Sequence, residues 1–105
     1  MSSSVIAKSL DQLVIALCAD YERRRQLIEA GEASYSVIME CRYLNYRLFD
    51  AAAQVVGEHI AERFILDIGY GIGYAKTELY HMSERTYKVN KLEIKESIAK
   101  RFLLL

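Results

Sequence analysis

Apolar residues recur along most of this chain at three- and four-residue steps, the spacing of one face of an α-helix. Over about residues 5–30 the stripe is Ile6, Leu10, Leu13, Leu17, Tyr21, Leu27 and Ile28, with Ser9 or Ser4 to cap its start and Gly31 to stop it. The charged run in its middle, residues 20–25, is expected to face water. A second helix is predicted from near Ser34 to about Val56 on the stripe Val37, Cys41, Leu44, Leu48, Ala52 and Val55. Two helices joined by so short a link should pack antiparallel. A third stretch, residues 58–68, puts Ile60, Phe64, Ile65 and Ile68 on one face, with Gly57 either interrupting the preceding helix or lying inside a continuous rod. Gly69, Gly71 and Gly73 are expected to break any helix that reaches them. Two further helical stretches follow, about 74–80 and 83–103, separated by His81 and Met82.

Length and composition sharpen that picture. A chain of 105 residues builds one hydrophobic core, and a 52% hydrophobic share is enough to fill it. Proline is absent and the five glycines fall at a few breaks, which favours long helices over a many-turned β fold. The expected architecture is therefore a single all-α domain, with a helical hairpin over residues 1–57 and a helix-turn-helix region over 58–105. The longest apolar run, Leu13 to Ala19, is too short to cross a bilayer. The opening MSSSVIAKSLDQ lacks the basic start and long apolar run of a signal peptide, so a cytoplasmic location and no membrane partner are expected. Cys18 and Cys41 stand alone inside apolar patterns and read as small core residues, with no metal site implied.

Charge divides the chain. Residues 1–75 carry seven Lys and Arg against ten Asp and Glu, a net of −3, and residues 76–105 carry seven against four, a net of +3. A basic tail on an acidic body suits an anionic partner, although a surplus of three is also common on a solvated helix face.

Two motifs compete for the region around the glycines. FILDIGYGIGYAKTEL resembles the first motif of S-adenosylmethionine-dependent methyltransferases, in which an apolar strand ends in an acidic residue and a glycine loop. Here those residues would be Asp67, Gly69, Gly71 and Gly73. That fold needs several βα units of about 30 residues each, and too little chain follows the loop to supply them. An enzyme is therefore not expected and no cofactor is implied. Just downstream, residues 74–87 have the grammar of a helix-turn-helix. A short first helix carries Leu79 inward, Met82 is the apolar residue of the turn, and Ser83 caps a second helix with Glu84 and Arg85 in its first turn. Tyr87, Ile94, Ile98 and Phe102 form an inward stripe, with Leu92, Ala99 and Leu103 beside it.

SERTYKVNKLEIKESIAKRF resembles the recognition helix of phage and prophage transcriptional regulators of the ArpU and RinA type, themselves similar to the promoter-reading C-terminal domain of bacterial sigma factors. The likeness is most specific over residues 82–102 and extends loosely back to Ile65. It implies a DNA-binding regulator of transcription, with RNA polymerase or a sigma factor as further partners. Two positions depart from the pattern, His81 where the turn usually has glycine and Lys76 at an apolar position of the supporting helix. By that resemblance Ser83, Arg85, Thr86, Lys88 and Asn90 would approach base edges, and Lys76, Thr77, Lys91 and Lys95 would meet phosphates.

Other residues have plainer readings. The three arginines 23–25 lie among acidic neighbours and should make surface ion pairs. His59 and His81 are too isolated for a metal or a base, and Asp67 beside the glycines reads as capping or turning the chain rather than binding a cofactor. Tyr43 and Tyr46 are expected to pack at the edge of the helical pair. The competing function is a helical interaction module, with Ala51–Ala53 and the terminal Leu103–Leu105 offering apolar surface for self-association. A homodimer suits either reading, since a two-fold pair reads two half-sites.

Overall fold

The computed structural model describes residues 7–79 and 81–102. Their regular structure is helical: α1 (Lys8–Ala19), α2 (Tyr21–Ala30), α3 (Tyr35–Val56), α4 (Glu58–Tyr70), the single turn α5 (Tyr74–Thr77) and α6 (Glu84–Arg101). No strand occurs among the described residues. None of these helices is long and apolar enough to cross a membrane. Ser4, Val5, Ile6, Tyr80 and Leu103–Leu105, to which the sequence pattern assigned helical or capping roles, lie outside the described residues.

The first predicted helix is two. It breaks at Asp20, and α1 starts after Ala7 with no side-chain cap, Ser9 lying inside the helix. The inward face of α1 is also offset by one residue from the expected stripe: Val14 and Cys18 are fully buried, whereas Leu13 is 49% exposed. The expectation that residues 20–25 face water fails at Arg24, which is 4% exposed. Its guanidinium reaches three acceptors: Asn45 Oδ1 at 2.7 Å, the Leu17 carbonyl at 2.6 Å and Asp20 Oδ2 at 3.1 Å. Asn45 Nδ2 in turn donates to the Tyr21 carbonyl at 3.0 Å. These bonds tie α2 to α3, which run antiparallel, with Leu27 near Val37 and Arg24 near Asn45. Arg23 and Arg25 do pair at the surface, with Asp20, Glu22 and Glu29.

α3 spans nearly the predicted residues because its punctuation is strong. Ser34 caps it by accepting from the Val37 amide, and Gly57 ends it. Cys41, Leu48 and Ala52 of its stripe are buried, with Ala51 beside them, while Val37 is 45% exposed. Gly57 interrupts the chain (φ 89°, ψ 159°), a backbone geometry open essentially to glycine alone. One residue thus turns α3 into α4.

α4 is the central element, burying Ile60, Ala61, Phe64, Ile65, Asp67 and Ile68. It packs on α3 and α1, and α6 packs on α3 as well while touching α1. The glycine cluster does not break α4 where expected: the helix runs through Gly69 to Tyr70 and ends at Gly71. Gly69 is a packing glycine, since a Cβ there would lie 2.6 Å from the Ala19 nitrogen. Helix α4 therefore presses directly on the backbone of α1, next to the break at Asp20.

Candidate nucleic-acid interface

Asp67 organises the C-terminal third. Its side chain is fully buried, and a carboxylate removed from water must be matched by donors or a cation. Oδ1 accepts from the Gly73 amide at 2.7 Å, fixing the loop after α4. Oδ2 accepts from the Tyr87 hydroxyl and lies 3.2 Å from Lys91 Nζ. Lys91 also donates to the Tyr87 hydroxyl at 3.2 Å. Burial, with the neighbouring carboxylate, pushes the Tyr87 phenol above its ordinary range, so it stays a donor. The Tyr87 ring sits between Tyr74 and Phe64, with centroids 5.3 Å and 5.6 Å away, and the Tyr74 hydroxyl donates to the Met82 carbonyl at 2.5 Å. So α4, the loop and α6 share one locked junction.

The start of α6 leaves this junction with its first turns uncovered. Ser83 Oγ accepts from the Thr86 amide at 3.2 Å and donates to the Thr86 hydroxyl, as its predicted capping role requires. Arg85, Thr86 and Lys88 are exposed around the first turns, Arg85 and Lys88 on one side and Thr86 across the buried Tyr87, while Tyr87, Ile94, Ile98 and Ala99 face the core. Lys88 pairs loosely with Glu84 at 3.4 Å, both side chains being mostly in water. Val89 and Leu92 are exposed on the same face at 47% and 44%, which places Leu92 outside the core rather than beside its stripe. An open groove of about 520 Å³ runs along the flank of α6 between Tyr74 and Leu92.

The nine residues singled out in the sequence separate into groups. Ser83, Arg85, Thr86 and Lys88 come together at the exposed N-terminal end of α6. Asn90 is half-buried with its amide 3.6 Å from Met82 Sδ. Lys76 is exposed on α5, and the Thr77 hydroxyl is turned back to the Tyr74 carbonyl at 2.9 Å. The remaining two lysines have carboxylates of their own. Lys91 pairs with Asp67, and Lys95 lies 3.2 Å from Asp11, joining α6 to α1. Sequence reasoning gave Asp67 a capping role and missed its hold on α6. The available signal was an acid inside an apolar run, with a Tyr and a Lys one helical turn apart at positions 87 and 91. The residues that imitate a strand and nucleotide loop are helical through Tyr70. Both Asp67 oxygens are already engaged by the chain itself.

No protein-family model, curated protein or solved structure matches this chain.

Proposed function

We propose that this chain is a DNA-binding regulator of transcription, as its resemblance to phage regulators implies, with α5, the turn at His81–Met82 and α6 serving as a helix-turn-helix. The observation that carries the reading is the division of α6. Its apolar side is held in the core by Tyr87, Ile94 and Ile98, and its first two turns project Arg85, Thr86 and Lys88 into solvent. A recognition helix needs that combination, because in a helix-turn-helix the N-terminal residues of the second helix contact base edges in the major groove while its apolar side is held by the domain. Arg85 is the residue best suited to a bidentate contact with guanine, and Lys76 to phosphates. Lys88, assigned to base edges by the resemblance, adds its charge to the same face and is counted by the salt dependence. Their ion-pair neighbours make Lys91 and Lys95 supports of the helix in this reading. RNA polymerase or a sigma factor remains a proposed second partner, from the same resemblance.

Fluorescence anisotropy on mixed duplex DNA across a salt series tests it. Each phosphate contact lowers the slope of log affinity against log salt by about 0.9. Lys88→Ala is therefore expected to make the slope shallower by about one, with Arg85→Ala weakening binding and flattening any sequence preference. Absence of binding at low salt overturns the DNA reading. In that case Val89 and Leu92, exposed on the same face, favour an adaptor whose partner covers α6.

A further inference from the structure

Helix α3 presents a second uncovered face, and it is aromatic. Tyr35, Tyr43 and Tyr46 are exposed by 79%, 57% and 67%, and Met39 by 43%. Steps of three and four residues set these side chains along one stripe, on the face opposite the buried Cys41, Leu48 and Ala52 and flanked at Arg47 and Asp50 by the end of α6. The tyrosines do not pack at the edge of the helical pair, as the sequence suggested. Part of the stripe is already ordered: Arg47 donates to the Tyr43 hydroxyl at 3.1 Å and lies over its ring, 5.3 Å from the centroid. Arg47 also donates to the Arg101 carbonyl and lies over the Phe102 ring, 5.4 Å from its centroid, so the end of α6 holds it in place. No carboxylate pairs with it among the described residues, and no cation pairs with Glu40 on the same flank of the stripe.

We propose that this face of α3 binds a second copy of the chain, two α3 helices packing antiparallel about a two-fold axis near Tyr43. That register sets Met39 against Tyr46 of the second copy, a sulfur–aromatic contact, and Tyr43 beside its own equivalent. In antiparallel helices like flanks meet, so Glu40 faces Arg47 of the second copy, and the two-fold axis makes the same pair again. Glu40 and Arg47, neither of which meets an opposite charge among the described residues of one chain, meet one in the pair. Arg42, on the other flank, is long enough to keep its guanidinium in water. The rings are already partly covered, 57–79% exposed with Met39 at 43%, so at about 150–250 Å² for complete burial of an aromatic they bring roughly 400 Å² per copy. With the stems of Glu40, Arg42 and Arg47 added, the pair lies near the lower end of specific interfaces, about 1,000 Å² in total, and a weak dimer is expected. This pairing stands independently of DNA binding.

Sedimentation velocity of the intact chain without DNA, over a concentration series, is the test. The wild type is expected to shift from monomer to dimer, and Tyr46→Asp to raise the dissociation constant at least tenfold while leaving the circular-dichroism spectrum unchanged. Oxidative cross-linking reads the register, since both native thiols are buried. Tyr43→Cys should form a disulfide-linked dimer. Tyr35→Cys should not, because eight residues at 1.5 Å each put it about 12 Å from the axis, beyond the reach of a disulfide. A wild type that stays monomeric, an unaffected Tyr46→Asp dimer, or equal cross-linking at both positions would overturn the proposal.

Discussion

Two charged side chains are buried among the described residues, Arg24 in the N-terminal half and Asp67 near the C-terminal helix, and the chain accommodates them differently. Arg24 is surrounded mostly by neutral acceptors, the Leu17 carbonyl and the Asn45 amide oxygen, and shares Asp20 with Arg23. Asp67 has a cation to itself in Lys91, with a phenol and a backbone amide beside it. The first arrangement joins neighbouring helices, α2 to α3. The second reaches from α4 to α6 across an intervening loop. Neutral dipoles suffice for a guanidinium because its charge is spread over a fork of donors. A carboxylate concentrates its charge on two oxygens and calls for a counter-ion. The same physical problem therefore stabilises local packing at one end and sets the orientation of a whole helix at the other.

The contrast can be broken by substitution. Lys91→Met removes the counter-ion of a fully buried carboxylate and should destabilise the fold by about 3–5 kcal/mol in urea denaturation. A loss under about 1 kcal/mol would mean that the dipoles alone hold Asp67. Arg24→Met leaves the Asn45 oxygen and the Leu17 carbonyl without a donor but strands no buried charge, so about 2–3 kcal/mol is expected from the same measurement. Gly69→Ala tests the point where the two regions touch. Its new methyl meets the Ala19 backbone, and overpacking of this kind should lower stability by about 1–3 kcal/mol, read as a fall in melting temperature. Asp20→Asn should matter least, about 1 kcal/mol, because the Arg23 pair is largely in water and the buried Arg24 guanidinium keeps an amide oxygen as acceptor while losing its carboxylate. Its pH dependence has a definite sign. The Arg23 guanidinium holds the Asp20 carboxyl below its ordinary value of 3.8, so its contribution is present at neutral pH and is lost as acid protonates it. The gap between wild type and Asp20→Asn should therefore close below about pH 3.8 in an acid titration followed by circular dichroism.

Helices α3 and α6 were legible from the chain because each begins at a serine with a capping side chain and carries a regular inward stripe. The break at Asp20 was not. Apolar periodicity continues through it, and the reason Arg24 turns inward is Asn45, a residue on another helix that no local pattern connects to it. The glycines misled for a related reason. Gly69 was read as a helix breaker, yet what selects it is the close approach of α1, a tertiary fact. In the candidate site, Ser83, Arg85 and Lys88 kept the exposure that a helical wheel assigns them. Lys91 and Lys95 did not, because their carboxylates, Asp67 and Asp11, lie 24 and 84 residues earlier. Such pairings appear only once the topology is known.

The one-residue turn at Gly57 also bears on the order in which the fold assembles. Bringing α3 against α4 closes almost no loop, so this pair can form before any entropy of long-range closure has been overcome. Joining α6 to α1 must close most of the chain. Substitutions in the α3–α4 seam, such as Leu48→Ala, should therefore slow folding, and those in α6, such as Ile98→Ala, should mainly speed unfolding. A molecule assembled in that order loosens from its last helix, so amide hydrogens of α6 should exchange earlier than those of α4 under native conditions.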